Sequence, residues 1–289
     1  MTPQLPAFLF LALSLCAAWL PPLKLAGRPL PAWLLLLVMA MAWGLVGGVL
    51  APSAVFVLLG FCYIAWRTAA APAGWRRCVL LAATIVLALL LAMHKLPGFH
   101  NPLLNDGVRY TPDAAPFTQY LNFDKGAVGL VLLALLCKRV TTWRELGGVV
   151  KRTWPIMLLT IAATLGFALA AGFVRPALKL PAGTAAFLAV NLLFTVIAEE
   201  AFFRGLVQAR LAPALSGQRY GAAVAVACSA LLFGAAHLGG GLRYGILASI
   251  AGLGYALAYQ STQRIEAPVL VHFALNAVHF IAFTYPYLA

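Results

Sequence analysis

Apolar residues recur along the chain in ten runs, at 5–22, 32–50, 52–66, 78–93, 127–137, 155–174, 184–203, 220–237, 244–259 and 268–284. A helix needs about 20 mostly apolar residues to cross the hydrocarbon core of a bilayer. Most runs approach that length, whereas 52–66 and 127–137 are short, so eight to ten spans are expected. Ala, Leu and Gly dominate, and no run alternates apolar with polar residues as an outer-membrane barrel requires. The pattern predicts an all-α, polytopic transmembrane helical bundle with 8–10 spanning helices. Residues 1–6 carry no charged side chain, so the first run lacks the basic flank of a cleaved signal peptide and reads as a spanning helix.

Two interruptions are more than turns. Residues 94–126 form a 33-residue polar stretch with Pro97, Pro102, Pro112 and Pro116. Its three Lys/Arg are balanced by Asp106, Asp113 and Asp124, which predicts an extracytoplasmic loop. Residues 138–152 (KRVTTWRELGGVVKR) read as a basic interfacial segment set against anionic headgroups. The expected organisation is an N-terminal transmembrane region, 1–154, with four or five helices, followed by a transmembrane core, 155–289, that holds the chemistry. No internal repeat is evident.

Composition agrees with this picture. Of 289 residues 63% are hydrophobic and 9% charged, with a mean hydropathy of +0.94. Soluble domains are nearer half apolar and a quarter charged. A soluble enzyme, a disordered tail and a disulfide-stapled module are excluded. The five cysteines (16, 62, 78, 137 and 228) show no CxxC pair and read as buried small hydrophobes.

The 20 Lys+Arg against 7 Asp+Glu give a net charge of +13. In a soluble protein that excess would suggest nucleic acid. In a membrane protein it reports loops held on the cytoplasmic side, and no nucleic-acid partner is expected. Alternating ten spans puts Lys95, Arg109, Lys125, Arg175, Lys179 and Arg243 on one side and the other 14 on the opposite one. This predicts a multi-pass protein with the richer face cytoplasmic and both termini outside; a bacterial inner membrane is the expected setting.

The acids are the informative residues. Five lie in predicted loops, but Glu199 and Glu200 stand together inside the apolar segment AFLAVNLLFTVIAEEAFFRGLVQARL. An unpaired carboxylate in hydrocarbon is costly, so such residues face the protein interior and are functional by default. Glu200 and Arg204 are spaced i,i+4 in the favourable order, which suits a helix-fixing ion pair. Glu199 is turned about 100° away on the helix and has no partner there. Two other segments supply polar companions: Phe233 with His237, and His272 with Asn276, each pair on one helix face. His279 lacks a polar companion and reads as a satisfied interhelical hydrogen-bonder.

The strings Glu199-Glu200-Ala-Phe-Phe-Arg204, Phe233-Gly-Ala-Ala-His237 and His272-Phe-Ala-Leu-Asn276 resemble the EExxxR, FxxxH and HxxxN motifs of the CAAX-protease and bacteriocin-processing (CPBP, or Abi) family of intramembrane proteases. All three occur in order between about 155 and 285. The resemblance implies an intramembrane endopeptidase in which Glu199 is the general base of a water-activating, glutamic-type mechanism. Glu200 with Arg204 would be the supporting pair, His237 would help hold the water, and His272 and Asn276 would stabilise the oxyanion. Peptide hydrolysis needs an activated water, a base and donors for the tetrahedral oxyanion, and this set contains all three. No cofactor is implied. The substrate is a large, partly apolar peptide, membrane protein or lipidated protein presented in the bilayer.

Straight-helix depths fit two of the three segments. Glu199 lies about 21 Å from Pro213 and His237 about 25 Å from Tyr220, whereas His272 is only about 6 Å beyond Pro268. The last segment must then begin deep, with Pro268 in its first turn, or one helix must be tilted or broken. Three rival readings use the same residues. Glu199, His237 and His272 resemble the ligand set of a catalytic zinc site, although no HExxH is present. A proton-coupled transporter would use buried Glu and His as a relay, and would show repeated halves. A non-catalytic scaffold or immunity factor would carry the motifs as relics.

Overall fold

A chain this apolar must satisfy its backbone polar groups internally, and helices do so within one segment. The computed structural model describes residues 3–25 and 27–289. Among them, ten helices follow one another: α1 (Leu5–Ala17), α2 (Ala32–Val46), α3 (Pro52–Ala70), α4 (Trp75–Ala92), α5 (Phe123–Leu136), α6 (Trp143–Ala170), α7 (Thr184–Ala214), α8 (Gly221–Ala236), α9 (Leu242–Thr262) and α10 (Glu266–Ala282). Each expected apolar run has its helix. The helices α3, α4, α6 and α7 are long and apolar enough to cross a membrane, whereas α1, α2, α8 and α10 are shorter apolar helices. Large apolar side chains such as Phe56 (75% exposed) and Leu159 (70%) point away from the protein on these helices. Such surface is tolerated where the solvent is lipid. The chain is an integral membrane protein.

Several helix ends depart from expectation. Residues 143–152, read as part of an interfacial segment, are the first turns of α6, and Pro155 lies inside that helix. The Thr-x-x-Glu signature explains the early start. Thr142 Oγ1 accepts the Glu145 amide at 3.1 Å, and the Glu145 carboxylate accepts the Thr141 amide at 2.8 Å. The polar stretch 94–126 is likewise not all loop. It holds the paired strands β3 (Leu103–Val108) and β4 (Phe117–Tyr120), and α5 begins at Phe123. A shorter antiparallel pair, β1 (Leu23–Leu25) and β2 (Arg28–Leu30), precedes α2.

Of the five acids expected in loops, Asp124, Glu145 and Glu266 instead occupy helix first turns, where a carboxylate faces the positive end of the helix dipole. The cysteines are free thiols, as their spacing suggested, but none is buried. Cys16 and Cys78 are exposed on their helices.

The chain divides into two units. The first comprises 1–104, 120–137 and 193–202. Its centre is α5, with 11 of 14 residues buried. Helices α3 and α4 are joined by a 2.8 Å bond between the Thr68 and Thr84 hydroxyls, and Ser14 on α1 donates to the Trp33 carbonyl of α2. Phe8 meets Phe123 and Phe194 edge to face.

Glycines let α5 and α7 approach within this unit. A Cβ at Gly129 would stand 2.8 Å from Ala198 Cα, and one at Gly126 would stand 2.7 Å from Phe194 Cδ1. At Gly129 the obstacle is the facing backbone, which cannot swing aside. Gly129→Ala is therefore expected to cost about 1–3 kcal/mol, the usual range for overpacking. Thermal denaturation in detergent reads it as a lowered midpoint, and an unchanged midpoint would contradict this close approach.

The second unit comprises 105–119, 138–192 and 203–289. Helix α9 lies against both α8 and α6, and α10 lies against α6 and α9. Gly254 on α9 faces Thr160 on α6 with no room for a Cβ, which would stand 2.0 Å from Thr160 Oγ1. Glu266 accepts the Val140 amide at 2.9 Å, and Ile265 donates to the Lys138 carbonyl. The start of α10 is thereby tied to the strand of chain that leads into α6.

Candidate active site

Helix α7 carries the paired acids, and its backbone is not regular. It is π-helical over Asn191–Val196 and again over Ala201–Gln208, with one α-helical turn, Ile197–Glu200, between them. Short π-helical stretches interrupt α-helices rarely and gather at functional sites. A π turn holds more residues than an α turn and rises less per residue, so the straight-helix depth expected for Glu199 is an overestimate. Helix α10 starts at Glu266, with Pro268 as its third residue. Pro268 thus stands in the first turn of α10.

In the first unit, Glu199 has a partner that its own helix does not supply. Lys125 Nζ donates to Glu199 Oε1 at 2.7 Å. The expectation of an acid without a partner is thus corrected. It considered only residues of the same helix, and the ammonium arrives from α5, 74 positions earlier. Lys125 itself lies in the first turn of α5 and not in a loop. Both side chains are mostly covered, at 19% and 14% exposure. Glu200, the next residue, is fully buried.

In the second unit, Arg204, His237 and His272 meet around the rings of Phe233 and Tyr255. The Arg204 guanidinium is fully buried. It lies 4.7 Å from the centre of the Phe233 ring, 5.2 Å from Tyr255 and 5.8 Å from Phe203, and it donates to the Gly252 carbonyl at 2.9 Å. Such cation–π contacts strengthen when the cation is removed from water. Tyr255 stacks on the other side of the motif set, with its ring 4.4 Å from that of His272 and 13° from parallel. Phe233 touches the His237 ring at 4.4 Å and meets His272 edge to face at 5.7 Å. One Phe and one Tyr therefore contact Arg204, His237 and His272 among themselves.

The hydrogen bonds define what the imidazole and amide present. His237 follows α8 as its C-terminal cap, and its Nδ1 lies 2.7 Å from the Phe233 carbonyl. A carbonyl only accepts, so Nδ1 carries the hydrogen, and in the neutral ring Nε2 keeps its lone pair. Asn276 Nδ2 donates to Asn191 Oδ1 at 3.2 Å. Asn191 is buried and opens the first π-helical stretch of α7. His279 bonds locally to the Thr284 carbonyl rather than to another helix.

Three residues of the candidate site were not legible as such: Lys125, Tyr255 and Asn191. Asn191 offered a signal, being polar within an apolar run eight positions before Glu199. Lys125 borders the apolar run 127–137, and Tyr255 lies within an apolar run as an ordinary aromatic. Among the described residues, no group of three or more His, Cys, Asp or Glu is gathered as a metal site.

Residues 181–278 match the family described as Type II CAAX prenyl endopeptidase Rce1-like. That interval is about a third of the chain and contains every motif residue from Glu199 to Asn276. No curated protein and no solved structure matches the chain. The interval holds the two acids and Arg204 on α7, the Phe233–His237 turn at the end of α8 and the His272–Asn276 face of α10. Over that third of the chain the protein is similar to the Rce1-like type II CAAX prenyl endopeptidases.

Proposed function

We propose that the protein hydrolyses a peptide bond of a membrane-associated or lipidated protein with a water activated by Glu199. The observation that carries this reading is the family match over 181–278, which contains all seven motif residues. Glu199 takes a proton from water as its oxygen adds to the scissile carbonyl carbon. His237 holds that water through Nε2, consistent with the Nδ1 hydrogen being given to Phe233. His272 and Asn276 donate to the oxyanion that forms. Asn191 orients the Asn276 amide, and Tyr255 orients the His272 ring by stacking. When the tetrahedral species collapses, the C–N bond breaks and the proton on Glu199 passes to the leaving amine. Glu200 and Arg204 support the acid-bearing helix. We place the protein in a bacterial inner membrane, with the loops richer in Lys and Arg facing the cytoplasm.

The test is cleavage of a membrane-anchored peptide reporter by the full-length protein in proteoliposomes stripped of metal and kept in chelator. Wild-type turnover is expected to persist without metal. His272→Ala and Asn276→Ala are each expected to lower kcat by about 10²–10³, the effect of losing one oxyanion donor. Stoichiometric zinc in the purified protein together with chelator-sensitive turnover would replace the metal-free reaction by a zinc-dependent one. Prenylated and unprenylated reporters tested side by side decide whether the lipid contributes to KM.

A further inference from the structure

The N-terminal part of the chain lies outside the family-matching interval, yet it supplies the ammonium that touches Glu199. The start of α5 is held in place by its surroundings. Asp124, 1% exposed, accepts from Asn101 Nδ2 at 3.0 Å and from the Lys125 amide at 2.9 Å, and it pairs with His94 Nδ1 at 2.7 Å. Asn101 Oδ1 in turn accepts the Phe123 amide at 2.8 Å. Two first-turn amides of α5, which a helix alone leaves without partners, are thereby satisfied. The network also fixes the direction in which Lys125 leaves the helix.

The close approach of α5 to α7 does the rest. Gly126 and Gly129 stand one and four positions after Lys125, and they bring the α5 backbone against Phe194 and Ala198. Ala198 directly precedes Glu199. An ammonium delivered from a helix in backbone contact, next to the residue adjoining the contact, has little freedom to point elsewhere. The 2.7 Å separation is that of a charge-assisted hydrogen bond.

We propose that Lys125 is a positioning residue of the hydrolytic centre, its ammonium fixing the side-chain conformation of Glu199. The inference rests on Glu199 being the base. Lys125 does not act on the peptide. It removes the rotational freedom of a carboxylate that must meet a water within hydrogen-bond distance, and a displacement of about 1 Å at such a group is worth about 10²-fold in rate. Nothing in the motifs requires this residue, because it lies 56 positions before the matched interval begins.

The experiment uses full-length protein in proteoliposomes and the anchored reporter, with kcat, KM and the thermal midpoint measured for each variant. Lys125→Met is expected to lower kcat about 10–100-fold, with KM within about twofold of wild type. Lys125→Arg, which keeps a cation at similar reach, is expected to recover most of that loss. In the Glu199→Gln background, Lys125→Met is expected to add little, because the two residues act as one unit. Wild-type kcat in folded Lys125→Met, with Glu199→Gln inactive, would overturn the inference and leave the proposed reaction standing. An active Glu199→Gln would overturn both. If Lys125→Met fails to fold, Lys125→Arg decides: turnover near wild type supports the role, and turnover as low as Glu199→Gln rejects it.

Discussion

Glu199→Gln is expected to lower the kcat of reporter cleavage by about 10²–10⁴, with little change in KM or in thermal midpoint. The substitution keeps the shape of the side chain and leaves an oxygen that can still accept from Lys125. What it removes is the capacity to take a proton from water. An interaction used in the transition state and not in substrate binding affects kcat and kcat/KM equally. Glu199 is 14% exposed rather than sealed, so losing its charge disturbs the fold less than the same change at fully buried Glu200. Turnover of Glu199→Gln within tenfold of wild type would remove Glu199 as the base.

Arg204→Ala is expected to act on stability, lowering it by about 3–5 kcal/mol, the range for deleting one member of a buried polar arrangement. The guanidinium fills a slot between Phe203 of its own helix, Phe233 of α8 and Tyr255 of α9. Its removal leaves a cavity among three rings and takes a charged donor from the Gly252 carbonyl. Lys at this position is expected to recover little. An ammonium cannot lie flat between rings while also reaching the carbonyl, because it lacks the planar fork. Thermal denaturation in detergent reads both variants. An Arg204→Ala midpoint within about 2 °C of wild type would show that the slot is not structural; ΔΔG of even 1 kcal/mol moves the midpoint of a chain this long by about that much.

The ten apolar runs and the ten helices correspond, because burial in lipid demands continuous apolar residues whatever the tertiary arrangement. Helix ends were harder to read. Hydropathy registers the apolar part of a helix, and α6 extends twelve residues N-terminal to its apolar run because Thr142 and Glu145 cap it. The same rule of acids in first turns accounts for Asp124 and Glu266.

In the candidate site, Glu199, Glu200, Arg204, His237, His272 and Asn276 were legible because polar residues stand out against hydrocarbon. Lys125 was hidden, since its role depends on a contact between positions 74 apart. Tyr255 was hidden for the opposite reason: an aromatic in an apolar helix carries no mark of what it stacks on. The π-helical stretches of α7 have no signature in the pattern of apolar positions either.

The two units are interleaved along the chain, and that order bears on biosynthesis. The first unit draws its last segment, 193–202, from beyond more than fifty residues of the second. A ribosome that has released residue 137 has delivered most of the first unit, including α5 with its glycines, but not the segment those glycines receive. Contacts of such long separation carry a closure cost before they contribute anything. The seat on α5 therefore waits, assembled but unfilled, while α6 is made and inserted, and it is completed only when Phe202 has followed. Arresting translation at successive lengths in the presence of membranes would see this as a late gain in protease resistance, appearing after residue 202 and not after 137.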